Sequence, residues 1–387
     1  MLCDSTEYNL QNHLGRINDF EGLGSTSQNY IVGFFSHNQL VIGREESQIL
    51  GWGKVHLFNR SMDNKAFKRP NSSVPISEKE SNKWLEPSIE TRDEVLAQAD
   101  HCLFVKDREA DIFEVKSLLP NERSDYLIRA KHDRVVFSDK NEKVKLKSDL
   151  KVRKIRKKVA VQINGESKKR SKRIAQCAIR YETYTIPRPL KIYDKTNYPE
   201  TIKATAICIN EIGDPPIGEE PLEWILWTSE QVKNNEDALE LIDCYAKRWV
   251  IEEAHRLLKT KGFDIESSEL ESGRSIRKLL ILGMEASIKV MQLKAAREGQ
   301  SGHKTIEIFK DEEIKFLDLL NQKLQGKTEK LKNPHSKEKL GWASWIIARL
   351  GGWKGYQAQR PPGTIMFKRG LDKFYDQYEG YLIAKQI

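Results

Sequence analysis

Between Tyr245 and Lys259 the chain reads Tyr-Ala-Lys-Arg-Trp-Val-Ile-Glu-Glu-Ala-His-Arg-Leu-Leu-Lys, and its polar members are spaced for chemistry. Tyr245, Arg248, Glu252, Arg256 and Lys259 follow at steps of three, four, four and three. On a helix those steps place all five on one face. The stretch has no Gly or Pro and is rich in helix formers, so one continuous helix is predicted across it. Trp249, Val250, Leu257 and Leu258 fall on the other side, suited to a core. A single carboxylate on the polar face, Glu252, stands between fixed cations and a phenol. That arrangement suits a group that binds a metal ion while its neighbours hold phosphates. The plainer reading of the same residues is an amphipathic helix with solvated charges.

A second carboxylate stands out for its position. Cys102-Leu-Phe-Val-Lys-Asp107 is a short apolar run that ends abruptly in charge, the pattern of a buried strand delivering an acid at its C-terminal end. Asp111, four residues on, reads as a structural or capping acid.

These two segments carry a resemblance. The spacing Tyr-x2-Arg-x3-Glu-x6-Lys, filled by Tyr245, Arg248, Glu252 and Lys259, resembles the YREK signature of bacterial cut-and-paste DDE transposases of insertion-sequence family four. Val105-Lys-Asp-Arg-Glu-Ala-Asp111 resembles the segment around that family's second catalytic aspartate. The likeness runs from about residue 4 to residue 384. It implies an α/β fold: an RNase H-like mixed sheet, a β-rich insertion before the last catalytic helix, and a small all-α C-terminal region. The domains expected are 1–133 (first part of the catalytic domain), 134–220 (insertion), 221–300 (second part, with the Glu-bearing helix) and 301–387 (helical, dimerisation-like).

The activity implied is metal-dependent DNA strand cleavage and strand transfer at insertion-sequence ends, that is, DNA transposition. Asp4, Asp107 and Glu252 would be catalytic and would hold two Mg²⁺ (or Mn²⁺) ions per site. Asp4 enters by resemblance alone; without it, Met1-Leu-Cys-Asp-Ser-Thr-Glu-Tyr8 reads as an ordinary terminus. Tyr245, Arg248, Arg256 and Lys259 would contact DNA phosphates. Arg129 and Lys131 are candidates for a DNA-facing edge. Trp224 stands where relatives place an aromatic that stacks on a flipped base, although a core tryptophan suits that position equally well. The implied partners are double-stranded DNA (terminal inverted repeats and target) and a second subunit, as a homodimer on DNA or a heterodimer with full-length transposase. Ala348-Arg-Leu-Gly-Gly-Trp353 resembles the dimerisation region.

The sequence departs from the family at the front, where relatives carry a helical DNA-binding domain and a complete first strand. An N-terminally truncated transposase of impaired activity is therefore expected. The second reading is a catalytically inactive fragment that binds DNA or full-length transposase as an inhibitor.

Composition sets the outer bounds. The 387 residues are 31% charged, with net charge +9, a pI near 9.0 and a mean hydropathy of -0.62. This balance favours a polyanionic partner. Five dispersed cysteines without a CxxC pair argue for a reducing interior and against a zinc or disulfide framework. No run approaches the ~20 apolar residues of a membrane span, so a cytoplasmic protein without membrane contact is expected. No P-loop is present, and Glu252-Glu-Ala-His255 lacks the second histidine of a zinc-protease helix.

Around these residues the patterns predict a hairpin from Tyr30–Ile42 and Gln48–Asn59, a short helix Thr91–His101, and a strand Tyr126–His132. In the expected insertion, basic runs Lys151–Lys158 and Lys168–Arg173 flank an Asn164-Gly165 turn, and strands follow at Ile174–Ile186 and Ile202–Ile209. Their charge density favours phosphate contact over a merely solvated tip. Glu223–Thr228 is a further buried strand. Helices are predicted at Ser275–Glu298, 305–325, Trp342–Leu350 and Thr364–Ala384.

Overall fold

The computed structural model describes residues 1–386 apart from 27–30, 47, 63–73, 164–170, 260, 261, 300 and 356–359. The Asn164-Gly165 turn and Lys168–Arg170 therefore lie outside the described residues. In chain order come β1 (Leu2–Asn9), β2 (Gly24–Ser25), β3 (Val32–Ile42), β4 (Ile49–Trp52), β5 (His56–Phe58), α1 (Glu86–Glu90), β6 (Cys102–Lys106), α2 (Phe113–Leu118), β7 (Ser124–Arg129), β8 (Val135–Phe137), β9 (Lys143–Lys145) and α3 (Leu146–Val152). There follow β10 (Lys157–Ile163), β11 (Arg173–Pro187), β12 (Thr201–Glu211), β13 (Glu223–Thr228), α4 (Asn235–Ala246), α5 (Trp249–Lys259), α6 (Gly273–Ala296), α7 (Thr305–Ile308), α8 (Asp311–Leu324), α9 (Leu340–Leu350) and α10 (Thr364–Gln386). This is a mixed α/β chain with a large mixed sheet. It divides into two units, Met1–Asp4 with Lys65–Trp249, and Ser5–Asn64 with Val250–Ile387. No helix among the described residues is long and apolar enough to cross a membrane.

The first unit runs in strand order β1-β6-β7-β13-β12-β11-β8-β9, with β10 paired to β11. β1 and β7 both lie parallel to β6, whereas β13, β12 and β11 succeed one another antiparallel. Parallel neighbours need a crossover connection, and α2 lies between β6 and β7. All five residues of β6 are buried, as expected of a parallel strand covered on both faces. Phe104, Leu127, Ile128, Ile207, Leu226 and Trp227 fill the interior. β11 and β12 pair continuously from Cys177↔Glu211 to Pro187↔Thr201 as a long antiparallel ribbon. At its end Arg173 forks onto Glu211 at 3.1 and 3.0 Å and also reaches Glu219, pinning the loop that returns to β13.

The second unit contains the remainder of β1, β2 to β5, and α5 to α10. β3 pairs antiparallel with β2, β4 and β5, so the expected hairpin forms with Leu40 opposite Trp52. Tyr8, Leu10, Phe34, Leu258, Ile265, Ile276, Leu280 and Met284 make one core cluster. On α9, Trp342, Ala343, Ile346 and Ile347 are buried, as are Phe367 and Phe374 of α10.

Several expected elements are shorter than their patterns. The helix predicted over 91–101 continues from α1 for one wide turn and ends at Val95. The segment 305–325 breaks into α7 and α8, because Glu313 caps the backbone N–H of Lys310 at 2.8 Å and starts a new helix there. The continuous helix predicted over 245–259 is also interrupted. α4 ends at Ala246, and the Arg248 N–H bonds back three residues to the Tyr245 carbonyl at 3.0 Å rather than four. That tighter turn shifts the helical phase. Trp249, expected against a core, is 63% exposed; at about 100° per residue it falls beside Arg256, on the polar side of the helix.

Candidate active site

Within the first unit the ladder between β1 and β6 leads to two acids. Leu2 pairs with Val105 and Cys3 with Lys106, and Asp4 and Asp107 each follow directly on the second of these pairs. Neighbouring strands lie about 4.8 Å apart, and aligned residues of parallel strands face the same way. Both carboxylates are half-buried. β6 contributes Asp107 at the point where its buried apolar run stops, and the following turn, Arg108–Ala110, leaves the sheet.

The end of α4 and the turn after it touch both acids. Arg248 Nη1 donates to Asp4 Oδ2 at 2.9 Å. The Tyr245 hydroxyl, three residues earlier, donates to Asp107 Oδ1 at 3.5 Å. Burial, then the Asp107 charge, push the Tyr245 phenol above its ordinary pKa, so it remains a donor at neutral pH. Trp224 packs edge-on to Tyr245, with ring centroids 5.2 Å apart.

Beside these residues lies a cavity of about 410 Å³. Arg108, Arg129, Lys131, Lys147 and Arg248 line it, against two carboxylates, Glu220 and Glu223. Lys151 pairs with Glu223 at 2.8 Å. Trp224, Tyr245 and Trp249 give the cavity aromatic walls. A cationic, aromatic-walled cavity of this size can take a nucleotide: a phosphate on the cations and a base on a ring. Trp224, which suited either a core or a stacking role, is half-buried here, whereas Trp227 of the same strand is fully buried. The sequence reading passed over Arg108 and Lys147. Arg108 was legible, since it follows Asp107 directly. Lys147 carries no pattern of its own and reaches the cavity only through the placement of α3.

Asp111 has a different environment. It is fully buried, paired with Lys116 and with Arg134 at 2.8 Å, and accepts the Lys131 N–H at 2.8 Å. Burial opposes its charge, yet these neighbours together hold its carboxyl below the usual range. Burial also depresses the Lys116 amine, to about 8.

The second unit holds Glu252, Arg256 and Lys259 on α5. Glu252 is half-buried and Arg256 is exposed. Lys259 pairs with Glu266 at 3.4 Å and lies 5.8 Å from the Tyr8 ring centre. Glu266 also accepts the Asn9 N–H at 2.8 Å. His255, one turn from Glu252, is buried and meets Asn38 of β3.

One further group of metal-ligating types occurs among the described residues. His101, Asp125 and Glu230 bring one ligand atom each within 4.8 Å of one another. Asp125 approaches Nε2 of His101 at 3.0 Å and Glu230 approaches Nδ1 at 4.0 Å. The two acids thus address different ring nitrogens, which makes the group an imidazole held between carboxylates rather than three donors converging on one point.

Among known families, residues 84–286 match the one described as Transposase DDE domain. The matched span, just over half the chain, takes in Asp107, Trp224, Tyr245, Arg248, Glu252 and Lys259.

Proposed function

The chain belongs to the Transposase DDE domain family, and from that premise we propose that it is a DNA strand transferase using Asp4, Asp107 and Glu252 as its acidic triad. The observation that carries the reading is the register of β1 on β6, in which Asp4 and Asp107 each follow directly on the pair Cys3↔Lys106. The parallel neighbours β1, β6 and β7 inside a mixed sheet are compatible with an RNase H-like core. The finer reading places the chain among insertion-sequence family four transposases.

The donor set fits a hard divalent ion. Asp4 and Asp107 present only carboxylate oxygens, and none of the protein's cysteines is exposed. Asp4, Asp107 and Glu252 would hold Mg²⁺ or Mn²⁺. Bound there, such ions supply Lewis-acid activation of a water or 3′-hydroxyl and neutralise the leaving oxygen. The remaining work falls to side chains. Arg248 donates to Asp4, and its guanidinium, which carries five donors, would contact a phosphate oxygen as well. Tyr245, kept protonated, orients Asp107. Arg129 and Lys131 bind the DNA backbone along the cavity, and Trp224 stacks on a base turned out of the duplex. Arg256 and Lys259 add phosphate contacts from α5. The substrates are terminal inverted repeats and target DNA, bound by a dimer, in the cytoplasm.

The test is incubation of the full chain with Mg²⁺ and duplex DNA carrying the terminal repeats of its own element. A nick at the repeat boundary that leaves a 3′-hydroxyl supports the proposal. A folded, DNA-binding protein that never cuts overturns it.

A further inference from the structure

The polar run at the centre of β3 is the starting point. Ser36, His37, Asn38 and Gln39 occupy consecutive positions of a buried strand, and all four side chains are fully buried. An apolar residue would fill each position without the cost of stripping water from a polar group. Alternation puts Ser36 and Asn38 on one face of the strand. There the Ser36 hydroxyl donates to Asn38 Oδ1, which leaves the Asn38 amide nitrogen pointing the other way. It meets His255 Nε2 at 2.9 Å.

His255 lies three residues after Glu252 on α5, about 60° away around the helix axis. The other buried residues of α5 are Ile251, Ala254, Leu257 and Leu258. Apolar contacts of that kind tolerate a small rotation of the helix. A directional hydrogen bond between buried groups tolerates much less. The pair Glu253–Lys294 also restrains α5, but both side chains are partly exposed, where ion pairs hold weakly.

We propose that Asn38, acting through His255, is a positioning residue for Glu252: it fixes the rotation of α5 and so the direction of the carboxylate. With the Asn38 amide N–H facing it, Nε2 of His255 is the acceptor of this bond. The inference rests on the reading of Glu252 as a metal ligand.

The experiment measures Mn²⁺ binding to the full chain, without DNA, by titration calorimetry or electron paramagnetic resonance. Asn38→Leu removes the bond and should weaken Mn²⁺ binding about tenfold, the order expected when a ligand's supporting hydrogen bond is removed. Asn38→Asp can still accept from Ser36 and can accept from a protonated Nε2 of His255, so it should restore binding to near the wild-type value. Histidine ¹⁵N spectra should show Nε2 unprotonated in the wild type and protonated in Asn38→Asp. Should Asn38→Leu fail to fold, His255→Gln, which keeps an acceptor, and His255→Leu, which does not, make the same comparison. Wild-type Mn²⁺ affinity in a folded Asn38→Leu or His255→Leu protein, with binding abolished in Glu252→Gln, overturns the positioning role. Unchanged Mn²⁺ binding in Glu252→Gln overturns the metal reading of Glu252, and this proposal with it.

Discussion

Arg248 donates to Asp4 at 2.9 Å, joining the turn after α4 to the acid at the fourth position of the chain. The contact links residues 244 positions apart and holds Asp4 in the first unit. A hydrogen bond between charged groups contributes about 1.5–3 kcal/mol. Arg248→Gln should therefore slow cleavage roughly ten- to a hundredfold. Arg248→Lys should recover only part of the rate, because an ammonium cannot serve Asp4 and a phosphate in the fixed fork of a guanidinium. Single-turnover nicking of terminal-repeat DNA gives both numbers.

Two tryptophans of β13 separate binding from folding. Trp224 borders the cavity, whereas Trp227 is buried with its ring near Tyr184 and Lys116. Trp224→Ala should cost about 1–3 kcal/mol of DNA-end binding or cleavage by removing base stacking, with little change in melting temperature. Trp227→Ala should cost about 3–5 kcal/mol of stability. Thermal melts and cleavage assays on the same two variants distinguish the roles.

Asp111 belongs to the scaffold, and its removal should show in stability. Asp111→Asn leaves Lys116 buried beside Arg134 without the carboxylate that offsets both, a destabilisation of about 3–5 kcal/mol. The pH dependence has a definite sign. With Asp111 held below the usual range, the unfolded chain takes up its proton first, so the stabilisation is complete above about pH 4 and is lost as pH falls through the lower folded value. Urea unfolding between neutral pH and pH 3 should show a shallower acid-side decline in Asp111→Asn.

The fold was legible wherever a pattern repeated over enough residues. The run from Cys102 to Lys106, the long strands β11 and β12, and helix α6 could each be read from periodicity and turn chemistry. The break between α4 and α5 could not, because no Gly, Pro or capping side chain marks it. Tyr245 and Arg248 belong to one unit, and Glu252, Arg256 and Lys259 to the other. The pairing of Cys3 with Lys106, just ahead of Asp4 and Asp107, is equally invisible in the sequence, since register between strands about a hundred residues apart follows from packing. The buried polar run of β3 was read simply as strand material, for hydropathy alone cannot show where a histidine from α5 will arrive.

The cations of the cavity should declare themselves through salt. Replacing Arg129 or Lys131 by Ala should weaken binding evenly across DNA sequences and lower the slope of log affinity against log salt by about one for each phosphate no longer neutralised. Fluorescence anisotropy over a range of KCl concentrations measures it. An unchanged slope would place these side chains off the DNA path.

The most direct test of the acidic triad is the rate of Mg²⁺-dependent cleavage of terminal-repeat DNA by the wild type, Asp4→Asn, Asp107→Asn and Glu252→Gln. Each substitution should lower the rate by about three orders of magnitude or more at saturating Mg²⁺, with melting temperature and DNA affinity nearly unchanged. A wild-type cleavage rate in any one of the three would remove that residue from the site and contradict the assignment.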